Sequence, residues 1–107
     1  MKTTLSKVTI VAERLLKDQL IKLVRRHGAT GYTMTAVEGE GSRGVRASDW
    51  EGRNIQIETL VSHASADAIF EQLADEYFDD YAVIAWVGEV GVLRGRKFGG
   101  DDGGDEG

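Results

Sequence analysis

Apolar positions recur with two different periods along this chain, and each period predicts an element. Ser6 to Ala12 alternates: Val8, Ile10 and Ala12 fall on one side, Lys7, Thr9 and Val11 on the other. A period of two predicts a strand. From Glu13 to His27 the spacing becomes helical. Leu16, Leu20, Leu23 and Val24 share a stripe, while Lys17, Asp18, Lys22 and Arg25 face away. Gly28 follows as a C-terminal stop, and Arg25, Arg26 and His27 suit the negative end of the helix dipole.

Gly31 to Val37 is rich in β-formers and predicts a second strand. Alternation resumes at Asn54 to Val61, with Ile55, Ile57 and Val61 on one face and Gln56 and Glu58 on the other. Ser65 is the expected N-cap of a second helix, with Asp67 in its first turn. Its stripe is Ala66, Ile69, Phe70, Leu73 and Tyr77, and Asp79-Asp80 ends it. Ala82 to Val87 is almost continuously apolar, as for a strand buried on both faces or lying at a subunit contact.

The order β-α-β-β-α-β predicts an α+β, ferredoxin-like sheet with two helices on one face. Its other face carries Thr33, Thr35 and partly apolar positions, so a second copy is the expected cover.

Two glycine-rich stretches stand outside this pattern. Residues 38–53 hold four glycines and three arginines. Glycine lets backbone N–H groups turn inward around an anion, and Arg43, Arg46 and Ser42 add donors. By pattern alone a solvated hairpin loop explains the stretch at least as well, although loops of this length in compact domains are usually functional or disordered. Val87 to Phe98 holds three glycines with Arg94, Arg96 and Lys97. It reads as a turn and a short basic strand, or as a backbone that a ligand can approach.

Composition narrows the classes. At 107 residues, 41% hydrophobic, the chain makes one domain with a small core. There is no cysteine, hence no disulfide or thiolate site. No apolar run is long enough to cross a membrane, and a cytoplasmic location is expected. The formal net charge is −5, but four acids crowd residues 99–107; without them, thirteen basic residues face fourteen acidic ones. The body is nearly neutral, unlike a general nucleic-acid binder. Residues 99–107 are expected to be a disordered acidic tail. His27 and His63 stand alone in the sequence and are expected at the surface. No catalytic constellation or metal motif emerges.

Taken together, the opening "Lys7-Val8-Thr9-Ile10-Val11-Ala12-Glu13", the turn "Gly28-Ala29-Thr30-Gly31-Tyr32-Thr33" and above all "Gly39-Glu40-Gly41-Ser42-Arg43-Gly44-Val45-Arg46" resemble the PII-like branch of the PII signalling superfamily, the SbtB and carboxysome-associated group. The resemblance covers about residues 6 to 98, within a domain drawn at 1–98. It implies a homotrimer that binds AMP, ADP, ATP or cyclic AMP between subunits as a regulatory ligand; no other cofactor is expected, and the residues show no metal motif. Residues 39–53 would be the T-loop. Ser42, Arg43 and Arg46 would hold phosphate, with Gly41 supplying backbone. Glu89, Val90, Gly91 and Gly95 would line the adenosine side. Ser48, Trp50 and Arg53 would face a partner, a membrane bicarbonate transporter or another component of inorganic-carbon acquisition; a transporter would draw the protein to the inner membrane without insertion. Absence of the paired cysteines of many relatives argues against redox control. The loop carries Trp50 and no tyrosine, so the tyrosine modification of nitrogen-sensing relatives is not expected. Two other functions compete. A weak nucleotide phosphohydrolase lacks a nameable base. An RNA-binding module needs stacking aromatics, and the third strand offers Gln56 and Glu58 instead.

Overall fold

The computed structural model describes residues 2–38 and 54–93. The elements run β1 (Thr3–Glu13), a 3-10 turn (Arg14–Leu16), α1 (Lys17–Arg26), β2 (Thr33–Val37), β3 (Asn54–Val61), α2 (His63–Glu76) and β4 (Ile84–Val92). The four strands form one antiparallel sheet in the order β2-β3-β1-β4, the predicted ferredoxin-like topology.

Alternation decides what each sheet face touches. Val8, Ile10 and Ala12 of β1 and Ile55, Ile57 and Val61 of β3 point to the helices and are all at most 1% exposed. They meet Leu20, Leu23 and Val24 of α1 and Ala66, Ile69 and Leu73 of α2. Burying one such aliphatic side chain stabilises by roughly 1.5–3 kcal/mol, so this layer is what holds the fold.

The ends of the helices differ from the sequence expectation in three places. The chain stays extended to Glu13, and α1 begins only at Lys17, after the 3-10 turn. Ser62, not Ser65, caps α2: its Oγ accepts from the Ser65 N–H at 3.1 Å. Asp67 consequently falls beyond the first turn. The helix starts directly after Val61, so the first hydroxyl available takes the cap. Gly28 behaves as predicted. Its φ is +109°, Ala29 N–H donates to Val24 O and Gly28 N–H to Arg25 O, the paired bonds of a left-handed helix stop.

β4 is the largest departure. It runs to Val92 rather than ending near Val87, and Gly88 to Gly91 pair with Lys7 to Thr4 of the central strand. Nor is it buried on both faces: Ile84, Trp86 and Val87 are about half exposed.

Candidate functional site

The β2–β3 hairpin is in register from Thr33↔Glu58 to Val37↔Asn54. Val37 and Asn54, the paired ends of this hairpin, therefore stand at one end of the sheet, beside Glu13. Gly41, Ser42, Arg43, Arg46, Ser48, Trp50, Arg53 and Gly95 lie outside the described residues, as does the acidic tail.

Glu89, Val90 and Gly91 lie toward the other end. Gly91 pairs with Thr4, whereas Asn54 pairs with Glu13. Nine residue steps along β1 separate these two pairs, roughly 30 Å of extended chain. The described body of one chain thus does not bring the base of the loop and the β4 segment together. Glu89 and Val90 also point to opposite faces, as neighbours in a strand must. A single ligand touching both would lie along the free edge of β4. There Gly88 has open space around it, while Gly91 accommodates Lys2, whose Cδ would stand 3.0 Å from an added Cβ.

The face of the sheet without helices carries Lys7, Thr9, Gln56, Glu58, Thr33 and Thr35 together with Ile84 and Trp86. Lys7 Nζ and Glu58 Oε2 are 3.8 Å apart, a partly exposed pair of small net worth. Thr9 is fully buried beneath this face, and its Oγ1 has no hydrogen-bond partner among the described residues.

Both histidines have partners rather than standing alone, although His63 lies at the surface as expected. His27 is half-buried and its Nε2 lies 2.7 Å from Gln72 Oε1, tying the end of α1 to α2. His63, the first residue of α2, places Nδ1 2.5 Å from Ser6 Oγ of β1 and Nε2 3.6 Å from Glu89 Oε2 of β4. A signal for this contact was present in the sequence. Ser6 shares the core face with Val8, Ile10 and Ala12, and a polar group there needs a partner.

Ser6, His63 and Glu89 have the composition of a hydrolytic triad but not its access. Ser6 is 4% exposed and sits in the central strand, flanked by β3 and β4, so its hydroxyl is not presented to a substrate carbonyl. Among the described residues no group of three or more metal-ligating side chains forms. Nor is any described helix long and apolar enough to cross a membrane. At the far end of α2, burial first and Glu76 second hold the Tyr77 phenol above its usual range; its hydroxyl donates to Gln19 Oε1 at 3.1 Å.

The family model for nitrogen regulatory protein P-II matches residues 5–97. The chain belongs to the P-II family. Among solved structures, a PII-like signaling protein of Thermus thermophilus is 54% identical, with a TM-score of 0.80 over 91% of this chain and 97% of its own. CPII of Thiomonas intermedia, bound to ADP, AMP and acetate, is 25% identical, with a TM-score of 0.81 over 92% and 98%. The same protein bound to ADP and bicarbonate gives 25% and 0.80 over 92% and 97%. P-II proteins are signalling regulators, and the β-α-β-β-α-β body described above is the fold they share with this chain.

Proposed function

We propose that this P-II protein is a homotrimeric sensor of adenine nucleotides, which bind in clefts between its subunits and change the surface offered to a partner. The observation that carries this reading is the likeness, over nearly the whole chain, to a P-II-like protein whose structure is bound to ADP and AMP. Two features of the body agree with it. The helix-free sheet face leaves Ile84 and Trp86 half exposed, a surface that a second copy would cover. The loop base and the Glu89–Gly91 segment lie at opposite ends of one sheet, an arrangement suited to a site completed by a neighbouring copy.

In this reading Ser42, Arg43 and Arg46 grip phosphate, Gly41 offers backbone N–H, and Glu89, Val90, Gly91 and Gly95 border the adenosine along the β4 edge. Ser48, Trp50 and Arg53 form the tip that meets the partner. Ligand acts through its preference for one loop state over another; equal affinity for both would shift nothing. The bicarbonate bound to CPII supports a partner in inorganic-carbon acquisition, such as a bicarbonate transporter, met at the cytoplasmic side of the inner membrane.

Calorimetry with AMP, ADP, ATP and cyclic AMP tests the reading directly. Arg46→Ala is expected to weaken AMP binding by ~1–3 kcal/mol, the worth of a charge-assisted contact. Unchanged affinity removes Arg46 from the site, and no binding of any adenine nucleotide removes the function. Release of product from ATP and magnesium, lost in Arg43→Ala, would instead favour a phosphohydrolase.

A further inference from the structure

The contact among Ser6, His63 and Glu89 joins three elements, and the hydrolytic reading has already been set aside for it. We infer that His63 is a positioning residue for Glu89. The inference rests on the proposed role of Glu89 at the nucleotide.

The chemistry of the imidazole supports it. A neutral histidine carries one N–H and one acceptor nitrogen. Glu89 is a carboxylate that can only accept, and its Oε2 stands 3.6 Å from Nε2, just beyond hydrogen-bond reach, so a small turn of this exposed side chain would let it accept from a tautomer with hydrogen on Nε2. Nδ1 is then the acceptor, and it lies against the Ser6 hydroxyl, which donates. Ser6 is anchored in the central strand and 4% exposed, so it can hold the ring plane in place. Glu89 projects from an edge strand and is largely exposed, with its side chain at 72%. Without His63 nothing among its described contacts would hold its carboxylate in one place. Immobilising that carboxylate before ligand arrives lowers the cost of binding, the general advantage of preorganisation.

The test is AMP calorimetry on the full chain and on five variants. Glu89→Gln and His63→Ala should each weaken binding roughly three- to tenfold, the range of one hydrogen bond, and the double variant should lose little more than either. His63→Gln keeps an N–H donor without titrating, so it should restore most of the affinity lost in His63→Ala. Ser6→Ala should fall between wild type and His63→Ala. Unchanged binding in Glu89→Gln would overturn the role of Glu89 itself. Weakened binding in Glu89→Gln with unchanged binding in His63→Ala would overturn the positioning role alone. Binding by His63→Gln no tighter than by His63→Ala would also overturn it.

Discussion

The two faces of the sheet are built from the same four strands and obey different rules. On the helix side, β1 and β3 present Val8, Ile10, Ala12, Ile55, Ile57 and Val61, each nearly inaccessible. On the other side the alternate residues of the same strands are Lys7, Thr9, Gln56 and Glu58, bordered by Ile84 and Trp86 of β4. The first set is apolar and interlocked, so it carries stability. The second mixes charge, hydroxyl and exposed aromatic, as a surface that meets another molecule does. Only half of each strand is needed to hold the fold, which leaves the other half open to assembly and ligand binding.

The largest expected effect falls on the covered face. Ile57→Ala removes a fully buried side chain between the sheet and the helices. It should cost about 2–5 kcal/mol, read as a lower urea midpoint at fixed protomer concentration. A loss below about 1 kcal/mol would mean that the covered face is not the stabilising one. Next comes Trp86→Glu on the open face. In the trimer reading this places a charge where an aromatic anchors the contact. It should weaken association by about 2 kcal/mol or more, seen as a smaller mass in sedimentation. The far-ultraviolet circular dichroism of the protomer should change little. Unchanged trimer mass would take Trp86 out of the interface and blur the distinction between the faces.

How much of this could be read from the sequence also divides along the same line. Leu20, Leu23 and Val24, and Ile55 with Ile57, were legible because the covered face imposes a strict period on side chains. The end of β4 was not. Val87 to Val92 contains two glycines and looks like a turn, yet Gly88 and Gly91 pair with β1 through backbone groups that side-chain pattern does not report. The N-cap was misplaced because Ser62 and Ser65 are equally good caps, and the choice depended on how soon α2 follows Val61. The Ser6–His63 contact spans 57 residues, beyond the reach of any short motif. The loop residues rest on resemblance, since glycine and arginine in a row also describe an ordinary solvated turn.

The smallest expected effect is the most informative about where the two faces meet. Thr9 is fully buried although it belongs to the open face, lying between Glu58 and Trp86 in the pairing of β1 with its neighbours. Its hydroxyl finds no hydrogen-bond partner among the described residues. Burying an unsatisfied hydroxyl costs roughly 1–3 kcal/mol, part of which relaxation recovers. Thr9→Val keeps the branched shape that β1 needs and deletes only the polar atom. If the hydroxyl stays unsatisfied in the assembled protein, the variant should be as stable as wild type or more so, by up to about 1 kcal/mol. If a neighbouring copy supplies a partner, the variant should instead lose stability, and the loss should vanish in the Trp86→Glu background where assembly is weakened. A double-mutant cycle on urea unfolding separates the two cases, because coupling between Thr9 and Trp86 appears only if the hydroxyl is satisfied across the contact.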